Sequence, residues 1–159
     1  MNNWEMQIQS VIPLLQLPPN TNQEVDVSEL LGDYIAEPFE TRCSDPTCKN
    51  RIMDAALETQ TGCYTILAVN RFDILNPNGK RMNKLMLSQS RLGQELTREL
   101  VSVVCHRGDE NRGHFVSYHK VGQQWFLNDD SRPCIPTENP LGQTVDDSET
   151  VELLFFKNV

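Results

Sequence analysis

Large apolar residues alternate with polar ones over positions 96–105, 113–120, 123–129 and 150–157, the period-two pattern of half-buried strands. A compact apolar run over 63–69 predicts a further strand. So does the partial alternation of 6–17, which stops at Pro18-Pro19 and the turn residues Asn20-Thr21-Asn22. Helical signals are sparser. Asp26-Val27-Ser28-Glu29 resembles a capping box and opens a helix to about Ala36, with Leu30, Leu31 and Tyr34 on one face. Asn76-Pro77-Asn78-Gly79 marks a turn, and 82–92 fits more than one state. With no repeat, low-complexity tract or domain-sized linker, the pattern predicts an α+β chain, mostly antiparallel sheet with one or two helices.

The strands over 113–120 and 123–129 carry a histidine near one end of the pair and two aspartates near the other. The turn signal between them is Lys120-Val121-Gly122-Gln123. A two-residue loop there pairs Lys120 with Gln123 and sets Tyr118 against Trp125, Val116 against Leu127 and His114 against Asp129. Opposed Cβ atoms in an antiparallel pair lie roughly 5 Å apart, within reach of an imidazole–carboxylate hydrogen bond. Val121 suits that loop poorly, because a β-branched residue resists the positive φ of a primed turn. A type I turn with a Gly122 bulge competes, slips the pairing by one and brings Asp130 or Asn128 closer. A histidine oriented by a carboxylate is two thirds of a nucleophilic triad, although the same pair also serves as a plain surface or packing contact.

At 159 residues the chain supports one domain that buries about 70% of the surface its unfolded form exposes. Five cysteines, odd in number and irregular in spacing, make no disulfide framework. Met1 is followed by Asn2-Asn3-Trp4-Glu5 rather than by a basic run and an apolar stretch, so no secretory signal is expected. No apolar run approaches the roughly 20 residues of a membrane span. The expected compartment is cytoplasmic or nuclear. A formal net charge of −8 argues against nucleic acid, whose phosphates call for clustered Lys and Arg, and suits a basic ligand.

The residues around the hairpin narrow the reading. GHFVSYHKVGQQWFLNDDSRP, from Gly113 to Pro133, closely resembles the histidine box of the ubiquitin-specific proteases, papain-like cysteine proteases that remove ubiquitin. That box reads Gly-His-Tyr-Val-x-Tyr and then Trp-(Tyr/Phe)-x-x-(Asp/Asn)-Asp-Ser. VSVVCHRGDENRGHF resembles the strand and loop entering the box, LAVNRFD at 67–73 the family's Leu-x-x-x-(Lys/Asn)-Arg-Phe strand, and VELLFFKN its last strand. The resemblance covers most of residues 6–157. It implies a single partial domain with the fingers and palm of that protease fold, about 6–60 fingers-like and 61–159 palm-like. It also implies His114 as general base and acid, Asp129 as the group holding the imidazole tautomer, and Asp130 as an aid to orientation or to the oxyanion. The implied partner is ubiquitin or a ubiquitin-like protein, held through an arginine-containing C-terminal tail, and the chemistry calls for no cofactor.

The family's cysteine box, Gly-Leu-x-Asn-x-Gly-Asn-(Ser/Thr)-Cys-Tyr, supplies the nucleophile and has no counterpart here, so by the family's layout the thumb is expected to be absent. The first reading is therefore a partial or pseudo-protease module that binds ubiquitin or a partner in deubiquitination. The second is the His114/Asp129 half of an active enzyme completed by a cysteine-bearing chain. A structural domain without ubiquitin function is a further alternative. An uncovered palm face is expected to take a second polypeptide or a second copy of this chain.

The cysteines need separate treatment. Cys43-Ser44-Asp45-Pro46-Thr47-Cys48 offers half of a tetrahedral thiolate zinc site, but Cys63, Cys105 and Cys134 are not spaced as the other half. No metal is expected, and reduced thiols are the plainer reading. Cys105 is the candidate substitute nucleophile, on the strand before His114. A reactive thiolate wants a positive, partly exposed setting, whereas Val103-Val104-Cys105 reads as a strand interior. His106 precedes a turn and reads as structural, and His119 as solvent-exposed.

Overall fold

The alternation around Val103 and Cys105 becomes the middle of a sheet. The computed structural model describes residues 12–19, 23–36, 39–42, 47, 52–55, 63–72, 79–87, 91–92, 98–109, 112–141 and 149–158. Cys43, Cys48, the turn residues 76–78 and the first half of the strand expected over 6–17 lie outside them. In chain order the elements are β1 (Leu14–Gln16), β2 (Val25–Asp26), α1 (Val27–Ala36), β3 (Phe39–Arg42), β4 (Ile52–Ala55), β5 (Tyr64–Asn70) and β6 (Leu85–Met86). There follow β7 (Arg91–Leu92), β8 (Arg98–Gly108), β9 (Gly113–Val121), β10 (Gln124–Asn128), β11 (Ile135–Thr137) and β12 (Glu149–Asn158).

The main sheet runs β1-β5-β12-β8-β9-β10-β11, with β7 on the end of β8 that β9 leaves free. Its pairings are antiparallel except that of β1 with β5. Two small sheets, β2 with β6 and β3 with β4, complete the described residues. The α+β expectation therefore holds. The helix starts where its cap places it: Asp26 Oδ1 accepts a hydrogen bond from the Ser28 amide at 2.7 Å.

Side-chain alternation sorts the faces of the sheet. Val103 and Cys105 of β8, Val116 and Tyr118 of β9, Trp125 of β10 and Leu154 and Phe156 of β12 are buried, and join Leu15, Val27, Leu30 and Leu31 in one apolar cluster. Arg71 is an ion inside this structure, only 4% exposed. Its Nε donates to the Val151 carbonyl at 3.0 Å, and its Nη1 to the carbonyls of Arg81 and Asn83 at 3.1 and 2.6 Å. Burial lowers its pKa to about 10, so the guanidinium stays charged at neutral pH and ties the segment before β6 to β12.

The hairpin register differs from the expected one by two residues. Val121 pairs with Gln124 and Trp125 with Lys120. The loop is Gly122-Gln123, with Gly122 at φ 61, the type II′ arrangement in which only the first loop residue needs positive φ. Val121 thereby stays in the strand. A slip of two leaves every side chain on its expected face, which a slip of one would not have done.

Candidate active site

His114 is the second residue of β9 and lies opposite Arg107 of β8. Two glycines shape the approach. Gly108 adopts φ 123, and a Cβ at Gly113 would overlap the His106 ring and the Arg107 carbonyl. On the other flank β10 ends at Asn128, opposite Ser117, before any residue can pair with His114. The chain then turns back: the Arg132 amide donates to the Asp129 carbonyl at 3.1 Å, and Asp130 sits at φ 50. That turn, rather than the ladder, delivers Asp129 to His114. Their Nε2 and Oδ1 are 2.5 Å apart. Asp130 Oδ2 lies 3.7 Å from the same nitrogen, while Asn128 points its amide oxygen toward Cys134 Sγ at 3.8 Å.

The hydrogen bond from His114, reinforced by the nearby charges of Arg132, His114 and Arg107, holds the Asp129 carboxyl below its usual range. An ionised Asp129 can only accept, so the neutral imidazole carries its proton on Nε2 and keeps Nδ1 as the basic nitrogen. The His114 side chain is 43% exposed and open to a reacting group. Asp129 Oδ2 faces Arg132 Nη1 at 3.3 Å and Arg107 Nη1 at 3.7 Å. His114, Asp129 and Asp130 also bring three potential metal-ligand atoms within 4.8 Å of one another, the one such trio among the described residues. Two guanidinium groups beside Asp129 oppose a cation there.

The other candidates sit elsewhere. Cys105 is opposite Val116, not His114, and is 2% exposed; burial first, and then the Glu149 carboxylate, push its thiol up. Cys63 and Cys134 are free and exposed. His106 Nδ1 lies 2.6 Å from Lys80 Nζ, which also pairs with Glu152 at 3.1 Å, and its ring packs 4.8 Å from that of Phe115. Burial, with Lys80 next, lowers the His106 pKa, as suits a structural histidine. His119 is half-buried and stacks on Phe126 at 5.8 Å, so it is less exposed than its sequence suggested. Arg107, Arg132 and Glu149 gather around the pair without having been anticipated. The glycines at 108 and 113, read as the closing pair of a hairpin, would have set Arg107 opposite His114.

A histidine and a carboxylate held together at the end of a mostly antiparallel sheet have the arrangement that the base half of a nucleophilic hydrolase site would need. The family model described as ubiquitin carboxyl-terminal hydrolase matches residues 10–156, and the chain belongs to that family. A probable ubiquitin carboxyl-terminal hydrolase 8 of Schizosaccharomyces pombe is 48% identical over 33 residues, 21% of this chain and 7% of that protein. The SAGA Ubp8/Sgf11/Sus1/Sgf73 DUB module shares the fold with a TM-score of 0.60 at 20% identity, over 93% of this chain and 33% of the matched one. The same module bound to ubiquitin aldehyde gives 0.59 at 20% identity, over 93% and 36%. This chain thus spans about a third of the solved relatives' length.

Proposed function

We propose that the chain acts in ubiquitin removal as the histidine-bearing half of a cysteine deubiquitinase, binding ubiquitin or a ubiquitin-like protein but not turning it over alone. The observation that carries this is the His114–Asp129 contact of 2.5 Å on a half-exposed imidazole. His114 Nδ1 would take the proton of an incoming thiol, and the thiolate would attack the carbonyl at the end of the ubiquitin tail. The imidazolium would then protonate the departing amine, and water would hydrolyse the thioester. Asp129 keeps the tautomer, and Asp130, 75% exposed on its side chain, has Oδ2 3.7 Å from His114 Nε2, close enough to help orient the ring. The nucleophile would come from other polypeptide, since no described cysteine lies at His114. That polypeptide, or a second copy of this chain, would cover the palm. Free thiols suit a cytoplasmic or nuclear setting.

A ubiquitin carrying a C-terminal electrophile tests this. The purified chain should bind ubiquitin without becoming labelled, and adding the cysteine-bearing polypeptide should yield cleavage that His114→Ala abolishes. Labelling of the isolated chain that Cys105→Ala removes would overturn the reading. A binding module without turnover is the second reading, favoured by the buried Cys105; it survives if ubiquitin binds and no partner restores cleavage.

A further inference from the structure

Asp129 has a positional problem. It lies just beyond the end of β10, in a turn, so no ladder hydrogen bond fixes it to the sheet. Yet a carboxylate that orients a catalytic imidazole must be held to within about half an ångström. Among the groups facing it, the Arg132 guanidinium is the nearer at 3.3 Å, but that side chain is 74% exposed and belongs to the same turn. An exposed pair between neighbours three residues apart cannot reference the turn to anything outside itself, and solvent screens it.

Arg107 can. Register places Glu149 of β12, Arg107 of β8 and His114 of β9 side by side across three adjacent strands. The Glu149 side chain is only 5% exposed, and a carboxylate that deep is costly to leave unpaired. Arg107 Nε donates to Glu149 Oε2 at 2.9 Å, which commits one edge of the planar guanidinium and aims Nη1 at Asp129 Oδ2, 3.7 Å away. The buried acid thus fixes the arginine, and the arginine gives the turn a reference point on the sheet. We propose that Arg107, anchored by Glu149, is a positioning residue that holds Asp129 against His114 Nε2. This rests on the reading of His114 and Asp129 as base and orienting group. The charged groups gathered at the imidazole are then Asp129, Asp130 and Arg132 from the turn and Arg107 from β8, with Glu149 of β12 behind the arginine.

The test uses the whole chain and proton NMR of the imidazole. A charge-assisted hydrogen bond to Asp129 should give a downfield, protected Nε2 proton on His114, assigned by its absence in His114→Ala. In Arg107→Gln that proton should exchange with water faster, its signal lost to exchange at a temperature where the wild type still shows it. Arg107→Lys should do the same, because it keeps the charge but loses the fork that serves Glu149 and Asp129 together. Glu149→Gln, the milder change, keeps the informative arm available if either arginine variant folds poorly. Lys120→Gln, which removes a positive charge paired with Glu99 farther along β9, is the charge control and should leave exchange unchanged. Wild-type exchange in the folded Arg107 and Glu149 variants, alongside fast exchange in Asp129→Ala, would overturn the positioning role and leave the pair intact. Wild-type exchange in Asp129→Ala itself would instead remove the reading on which the role rests.

Discussion

At the scale of single residues, environment decides which of several similar groups can react. Cys105 and His114 are nine residues apart and on neighbouring strands, yet burial raises the thiol while the imidazole meets solvent. Native alkylation at pH 8 with peptide mapping should therefore modify Cys63 and Cys134 and spare Cys105 until the protein is unfolded; rapid modification of Cys105 would contradict its burial. Asp129 differs from an ordinary aspartate in the opposite sense. Its carboxyl is held below the usual range in the folded state, first by the hydrogen bond from His114. The stabilisation is accordingly complete above the unfolded value of about 3.9 and is lost only as pH falls through the lower folded one. Following the Asp129 carboxyl carbon by NMR should give a midpoint below that of an aspartate in an unfolded peptide, and Arg132→Gln should raise it.

At the scale of elements, the residue that closes a turn outweighs the pattern of the strands it joins. Period two and the GHFVSY run place His114 on the core side of β9 and Asp129 beside it, and both are there. What alternation cannot report is the loop: Gly122 takes the positive φ that Val121 resists, the register moves by two, and the contact is remade by a turn at Asp130. Nor could it report Arg107 against Glu149, which lie 42 residues apart, or β11, an edge strand with Pro136 inside it. Glycine substitutions separate these effects. Gly32 is an exposed helical position with open space around its Cβ, so Gly32→Ala should stabilise by about 0.8–1 kcal/mol. Gly113→Ala should cost about 1–3 kcal/mol, since its methyl would meet the His106 ring and the Arg107 carbonyl. Urea unfolding monitored by the fluorescence of the two tryptophans, Trp4 and Trp125, measures both, and equal signs for the two would refute the packing argument.

At the scale of the whole molecule, the last strand in sequence is central in space. β12 lies between β5 and β8 in the main sheet, so its pairings join residues 64–68 to the C-terminal region and then to 98–107. Both outer edges of that sheet are short strands flanked or interrupted by proline: β1 by Pro13 and Pro18, β11 by Pro133 and Pro136. Such edges do not invite another strand. β5 and β8 are different, long and apolar, and they are safe only while β12 covers the edges they turn toward it. Leu154 and Phe156 are fully buried on β12 and seal the core beneath it. Phe156→Ala should cost about 3–5 kcal/mol. That is a large part of the roughly 5–15 kcal/mol available to a domain. Removing residues 149–159 should go further, exposing two long strand edges and the apolar face together. The truncated chain is expected to bind a hydrophobic dye, lose its cooperative thermal transition and aggregate at micromolar concentration. A truncated chain that stays monomeric in sedimentation and melts cooperatively would mean that β5 and β8 are held by something other than the strand between them.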